Sequence, residues 1–336
     1  MEHEGPRLPT PRGPLSSGVD AYLRGAGRLP SLEEIARAEV YGDDLQLALY
    51  LCYELHYRGF ADVSPEREWD PDLLRVRAAM EHRFLSALRT DAHVHDSVDE
   101  ALAGLLVEPV EGTGVSHFLR DEGELWQVRE YAAQRSLYHL KEADPHAWVL
   151  PRLSGRAKAA MAAVEFDEWG GGRAERVHAR LFADLMADLG LDTAYGRYLD
   201  AASAEALVTV NMMSLFGLHR ALRGALVGHF ATVEITSSPG SRRLAEAMRR
   251  TGAGPAAEHF YDEHVEADAV HEQVVRHDVI GGLLESEPYL APDIAFGIDA
   301  TEFVEERFGA RLLTDWRASR SSLHAPLAQE AAHISG

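Results

Sequence analysis

The chain has 336 residues, with 33 Lys+Arg against 54 Asp+Glu, and so a formal net charge of −21. Such an acid surplus argues against a nucleic-acid backbone or an anionic membrane surface as main partner, because both attract basic proteins. The single cysteine, Cys52, excludes an internal disulfide, a cysteine-based zinc site and a thiolate-held iron–sulfur cluster, which leaves the carboxylates and 17 His as metal ligands.

In chain order, residues 1–17 are rich in Pro and Gly and carry Glu2 and Glu4. They lack the basic start and apolar run of a secretory signal and read as a disordered tail. Asp43 and Asp44 open a helix that runs to Tyr57 and is apolar nearly all round, so it is expected to be buried. Cys52 reads as a small core residue within it, and Glu54 and His56 do not share a face. A helix over Pro71–Thr90 has Pro in its first turn. Weaker helical patterns cover Val98–Leu106 and Leu125–Lys141. On the second of these, Tyr131, Arg135, Tyr138 and His139 share a face. Arg135 and Tyr138 are the candidate substrate contacts, Arg135 as a bidentate partner for a carboxylate.

Pro145 and Pro151 mark a boundary in the pattern. The expected organisation is an N-terminal helical region over 18–124, a bundle over 125–320 and a C-terminal tail over 321–336. Within the bundle a helix covers Gly155–Trp169 and is interrupted by Gly170–Gly172. The pattern resumes over Ala174–Leu189, where Val177, Leu181, Phe182, Leu185 and Leu189 recur at helical spacing. Ser203 caps a long apolar helix or helix pair reaching Thr236, ended by Ser237-Ser238-Pro239-Gly240. Its uncharged stretch, Ala206–Leu218, is too short to span a bilayer. A soluble, cytoplasmic protein without a membrane partner is expected. Helices over Arg242–Arg250, Pro255–Leu284 and Asp293–Ser319 complete an all-α chain.

The chemical signal lies between His259 and His277. With His264 at zero on a wheel of about 100° per residue, Asp268 falls near about 40° and His271 near about −20°. Phe260, Ala267 and Val275 share that face, while Asp262, Glu266, Gln273, Arg276 and His277 lie opposite. Two imidazoles and one carboxylate therefore occupy the face that should be apolar. Burying even one without a partner costs a few kcal/mol. A divalent metal compensates all three, and a two-His, one-carboxylate set with open positions suits non-haem Fe(II).

A bundle metal site draws ligands from several helices. His178 shares an inward stripe with Phe182, Leu185 and Leu189. Two carboxylates compete to accompany it. Glu175 gives the E-x-x-H spacing of ferritin-like di-iron bundles, whereas Glu168 lies ten residues away, roughly 80° round a regular helix. The intervening glycines can break that regularity, so geometry leaves both open. Glu234 shares a stripe with Val227, Phe230 and Ala231.

Together these residues resemble the haem-oxygenase-like di-iron oxidases and oxygenases. That family's pattern is a Glu, a His ten residues on, a Glu on a later helix, and a closing H-x-x-x-D-x-x-H. Glu168 and His178 match the first pair, Glu234 the middle Glu, and His264, Asp268 and His271 the closing motif, over roughly Leu125 to Ala318. The resemblance implies an all-α, haem-oxygenase-like bundle holding two Fe(II) ions on these six residues, with Glu168 preferred over Glu175. It implies O₂ as cosubstrate, no haem, and a peroxo-di-iron(III) species acting on a small amine- or amino-acid-like molecule. N-oxygenation is the favoured outcome, with oxidative decarboxylation and C–C fragmentation as alternatives. A non-catalytic metal-binding protein is the other alternative. An external electron donor and a homodimer are further expectations from the family.

Overall fold

The helices start where the sequence supplies acceptors for their unpaired backbone N–H groups. Asp70 accepts from Asp72 and Leu73 (3.0 and 3.2 Å), and Ser203 accepts from Ala206 (3.2 Å). The computed structural model describes residues 5–93, 95–107 and 112–327, the side chains of Glu266, Asp268 and Ala269 excepted. Among these residues there are only helices, turns and coil.

The first six helices are α1 (Pro14–Leu23), α2 (Leu32–Arg37), α3 (Asp43–Glu54), α4 (Pro71–Asp91), α5 (Val98–Leu105) and α6 (Val115–Asp121). Then come α7 (Leu125–His139), α8 (Asp144–Ala147), α9 (Gly155–Glu168), α10 (His178–Asp188) and α11 (Ala204–Leu218). The last four are α12 (Arg223–Thr251), α13 (Pro255–Val274), α14 (Gly281–Ser286) and α15 (Ala291–Arg317), with a π-helical stretch, Val275–Ile280, between α13 and α14. The fold is all-α, as the sequence predicts. No helix among the described residues is long and apolar enough to cross a membrane.

Helix α12 is central, packed along α13 on one side and α15 on the other. At the α12–α15 crossing the backbones touch. A Cβ on Gly297 would lie 2.0 Å from the Ala225 carbonyl oxygen, and one on Gly228 would lie 2.0 Å from that of Ile294. Backbone cannot yield as a flexible side chain can. Gly297→Ala should therefore lower stability by about 1–3 kcal/mol. Gly240→Ala, on the same crossing pair of helices but with open space around it, should be neutral or raise stability by up to about 1 kcal/mol. Thermal melts of the two variants check this, and an unchanged Gly297→Ala melt contradicts it.

Three expectations need correction. The tail is not free from residue 5 onward, because Asp44 holds the start of α1. Its carboxylate accepts from the Leu15 and Ser16 backbone (2.9 and 2.8 Å) and from the Ser16 hydroxyl (2.7 Å). Leu15 and Ser16 are buried, and Asp44 thus serves another helix rather than capping its own. The C-terminal segment likewise begins packed: Ser322 bonds to Glu130 through its backbone and its hydroxyl. Finally, the helix expected to stop at 237–240 continues as α12 through Pro239 to Thr251. An interior proline costs about 3 kcal/mol, and burial of Leu244, Ala245, Ala247 and Met248 beyond it offsets the loss.

The N-terminal helices are tied to the bundle by a buried ion pair. Lys141 Nζ lies 2.9 Å from Glu54 Oε2, with side chains 1% and 0% exposed. Tyr195 donates to the other Glu54 oxygen (2.7 Å), and the Lys141 ammonium sits 4.0 Å from the centre of the Tyr57 ring. The apolar core is continuous from Leu15 to Leu323.

Candidate metal centre

The centre is assembled by interruptions of helices. Helix α9 ends at Glu168, and Gly170, Gly171 and Gly172 follow with φ of +75°, +60° and +82°. Side-chain-bearing residues rarely adopt that conformation. At Gly170 a Cβ would also lie 2.7 Å from the backbone at Arg176 and Val177. The tight reversal brings the last turn of α9 against the first residue of α10. His178 Nδ1 consequently lies 2.7 Å from Glu168 Oε2. Glu175, in the intervening turn, is exposed, so the structure brings Glu168 and not Glu175 to His178.

A second interruption follows α7. Ala143, between α7 and α8, is buried and held at φ +73°. Such backbone in a residue other than glycine costs of order 1–3 kcal/mol and tends to occur at functional sites. It follows directly on Glu142, whose buried carboxylate turns toward the same region. His139 Nδ1 lies 2.8 Å from Glu142 Oε1, and His264 Nε2 lies 3.8 Å from it.

Two clusters result. Ligand-type atoms of Glu142, Glu168, His178 and His264 lie within 4.8 Å of one another, and so do those of Glu168, Glu234 and His271. All six residues are buried, and Glu168 belongs to both sets. In the second set His271 Nδ1 is 3.1 Å from Glu234 Oε2 and 3.7 Å from Glu168 Oε1. Its Nε2 faces Asp167 Oδ2 at 3.3 Å. In the first set His264 Nδ1 donates to the Phe260 carbonyl (2.7 Å). That bond fixes the tautomer and leaves Nε2 as the lone-pair nitrogen, a common arrangement for a ligating His. The backbone of Asp268 lies on α13 between His264 and His271; its side chain is outside the described residues.

The donor set fits bound metal. The 2.7 Å approach of His178 Nδ1 to Glu168 lacks hydrogen-bond geometry, and Glu142 Oε2, although buried, has no hydrogen-bond partner among the described residues. Buried polar atoms are normally paired, so atoms that converge without bonding one another suit a shared cation. The electrostatics agree. Burial, together with the charges of Glu168 and Glu234, pushes the Glu165 carboxyl well above the usual range. At Glu142 burial also disfavours the charge, but the imidazoles of His139 and His264 outweigh it and hold the carboxyl well below that range. Imidazole and carboxylate donors suit iron among the first-row metals.

The clusters border a cavity of about 710 Å³ between α7, α12, α13 and α15. Arg135 and Tyr138 both line it. Arg135 is already engaged, since its guanidinium pairs with both oxygens of Glu305 and donates to the Tyr131 hydroxyl. Sequence reasoning passed over Glu142. It sits just beyond the end of α7, where helical periodicity assigns no face. The available signal was a Lys-Glu pair just past a helix with an apolar face, one residue before Asp144-Pro145.

An all-α bundle with buried His and carboxylate clusters between its helices is the layout of a helical-bundle metalloprotein. The chain belongs to the family of iron-containing redox enzymes, whose pattern matches residues 129–305. The all-α bundle is consistent with a haem-oxygenase-like fold, and membership supports iron as the metal. The chain is also similar to a nitrosourea synthase from Streptomyces achromogenes subsp. streptozoticus, 25% identical over 215 residues. That alignment covers 64% of this chain and 44% of the relative, so the chain spans less than half of that protein's length.

Proposed function

We propose that the protein is a non-haem di-iron, O₂-activating oxygenase acting on a small amine-bearing molecule held in the cavity. The observation that carries this reading is the sharing of Glu168 by two buried His/carboxylate clusters at the cavity wall. Glu142, Glu168, His178 and His264 would hold one ion, and Glu168, Glu234 and His271 the other, with Asp268 completing the set. Two bound Fe(II) ions supply the electrons that reduce O₂.

The chain's own residues do the rest. The His264–Phe260 hydrogen bond and the His139–Glu142 contact orient donors in advance. Phe230, Phe260 and Met213 give the cavity apolar walls that limit water. Oxygen transfer to nitrogen is favoured over decarboxylation because Glu305 occupies Arg135, the guanidinium on the cavity wall that the sequence offered first to a substrate carboxylate. The relative's name adds support, since a nitrosourea carries oxygen on nitrogen.

The test loads the protein anaerobically with Fe(II) and follows O₂ consumption in the presence of amines, amino acids and fatty acids. Consumption stimulated by an amine-bearing compound is the expected result. Stimulation by fatty acids alone would replace the reading with decarboxylation. Iron uptake without stimulation by any class would reduce the protein to a metal binder.

A further inference from the structure

Two buried imidazoles outside the metal clusters line the same cavity. His229, on α12, and His146, on α8, are each 1% exposed, and their ring centres lie 5.2 Å apart. The Nε2 of each is buried and has no hydrogen-bond partner among the described residues.

The tautomer of His229 follows from its neighbours. Thr301 has one hydroxyl proton and donates it to the Gly297 carbonyl (2.7 Å). Its oxygen can then only accept from His229 Nδ1, 2.9 Å away. Nδ1 therefore carries the proton, and Nε2 presents a bare lone pair. Protonation of the ring does not change this near neutrality. Burial lowers both imidazoles, His146 well below its ordinary value and His229 to about 4.

A buried acceptor without a donor costs about 1–3 kcal/mol. A structure that fixes such an acceptor on a cavity wall has prepared it for something that enters the cavity. We propose that His229, with His146 beside it, forms a subsite that accepts a hydrogen bond from an N–H or O–H group of the bound molecule. A substrate carboxylate has no proton to give this nitrogen, and neither has a ketone or an ester. The amide, amine and amidine classes do. The inference rests on the reading of this cavity as the substrate site and narrows the class of molecule that fits it. His229 is a specificity-determining residue here, and Thr301 positions it.

The experiment uses the full chain and two uncharged probes of nearly the same shape, butyramide and 2-pentanone, which differ by NH₂ against CH₃. Binding is followed on the ¹⁵N resonances of labelled histidines, in metal-free protein. Without probe, the His229 Nε2 should resonate as a non-protonated nitrogen. Butyramide should shift that signal and bind on the order of tenfold more tightly than 2-pentanone. The preference should vanish in His229→Leu and weaken in Thr301→Val, which frees the tautomer. Both variants should take up Fe(II) as the wild type does, so loss of iron binding, the failure that would sink the di-iron reading, is scored separately. Equal affinities, no detectable amide binding, a preference that survives His229→Leu, or a protonated Nε2 would each overturn the subsite.

Discussion

Glu168→Ala is expected to abolish iron loading at both positions, from roughly two ions per chain to near none. The residue is common to the two clusters, whereas His178 and His271 each belong to one. His178→Ala should therefore retain about one ion, held by Glu168, Glu234 and His271. His271→Ala should retain about one in the other cluster. The metal-free proteins should show the opposite ordering. Glu168 lies among buried carboxylates whose mutual repulsion is expressed in the raised Glu165. Deleting one charge relieves that repulsion, so metal-free Glu168→Ala should melt no lower than metal-free wild type. Iron analysis after anaerobic loading, and melts in the presence of a chelator, read the two effects independently. Full iron retention in Glu168→Ala would remove the shared-ligand arrangement.

The largest loss of stability is expected from Glu54→Ala. It would strand the Lys141 ammonium, 1% exposed, without its partner. Breaking a buried pair by removing one member costs about 3–5 kcal/mol, while replacing both members with apolar groups is often neutral. Glu54→Ala should thus lower the melting temperature on the order of 10 °C. The double variant Glu54→Leu/Lys141→Met should recover most of that loss. Lys141 adjoins Glu142, so the single variant should also weaken iron retention. A single variant that melts within about 2 °C of wild type would contradict the proposed role of the pair.

How much was legible in the sequence depended on whether periodicity applied. On α13 the spacing of His264 and His271 put them inward, and both are buried. His178 followed from its apolar stripe in the same way, whereas the stripe of Glu234 equally allowed an exposed carboxylate at a helix end, and only the family resemblance singled it out. Glu168 against Glu175 could not be decided by a wheel, because three left-handed glycines replace the helix between Glu168 and His178. Glu142 escaped for a related reason: it lies at a strained turn, where no repeat points to a face. His146 and His229 were masked by apolar neighbours. The facing of Arg135 was readable, but its partner Glu305 is 170 residues distant, beyond any local pattern. The same holds for Asp44, whose charge serves a helix that precedes its own.

In the proposed centre two iron ions would be held by one shared glutamate, Glu168. Mössbauer spectroscopy on anaerobically ⁵⁷Fe-loaded wild-type protein, then exposed to O₂, tests it most directly. Roughly two irons per chain should become a spin-coupled pair on oxidation, the behaviour expected of two irons held by one carboxylate. A single uncoupled iron, or two irons that oxidise independently, would contradict it.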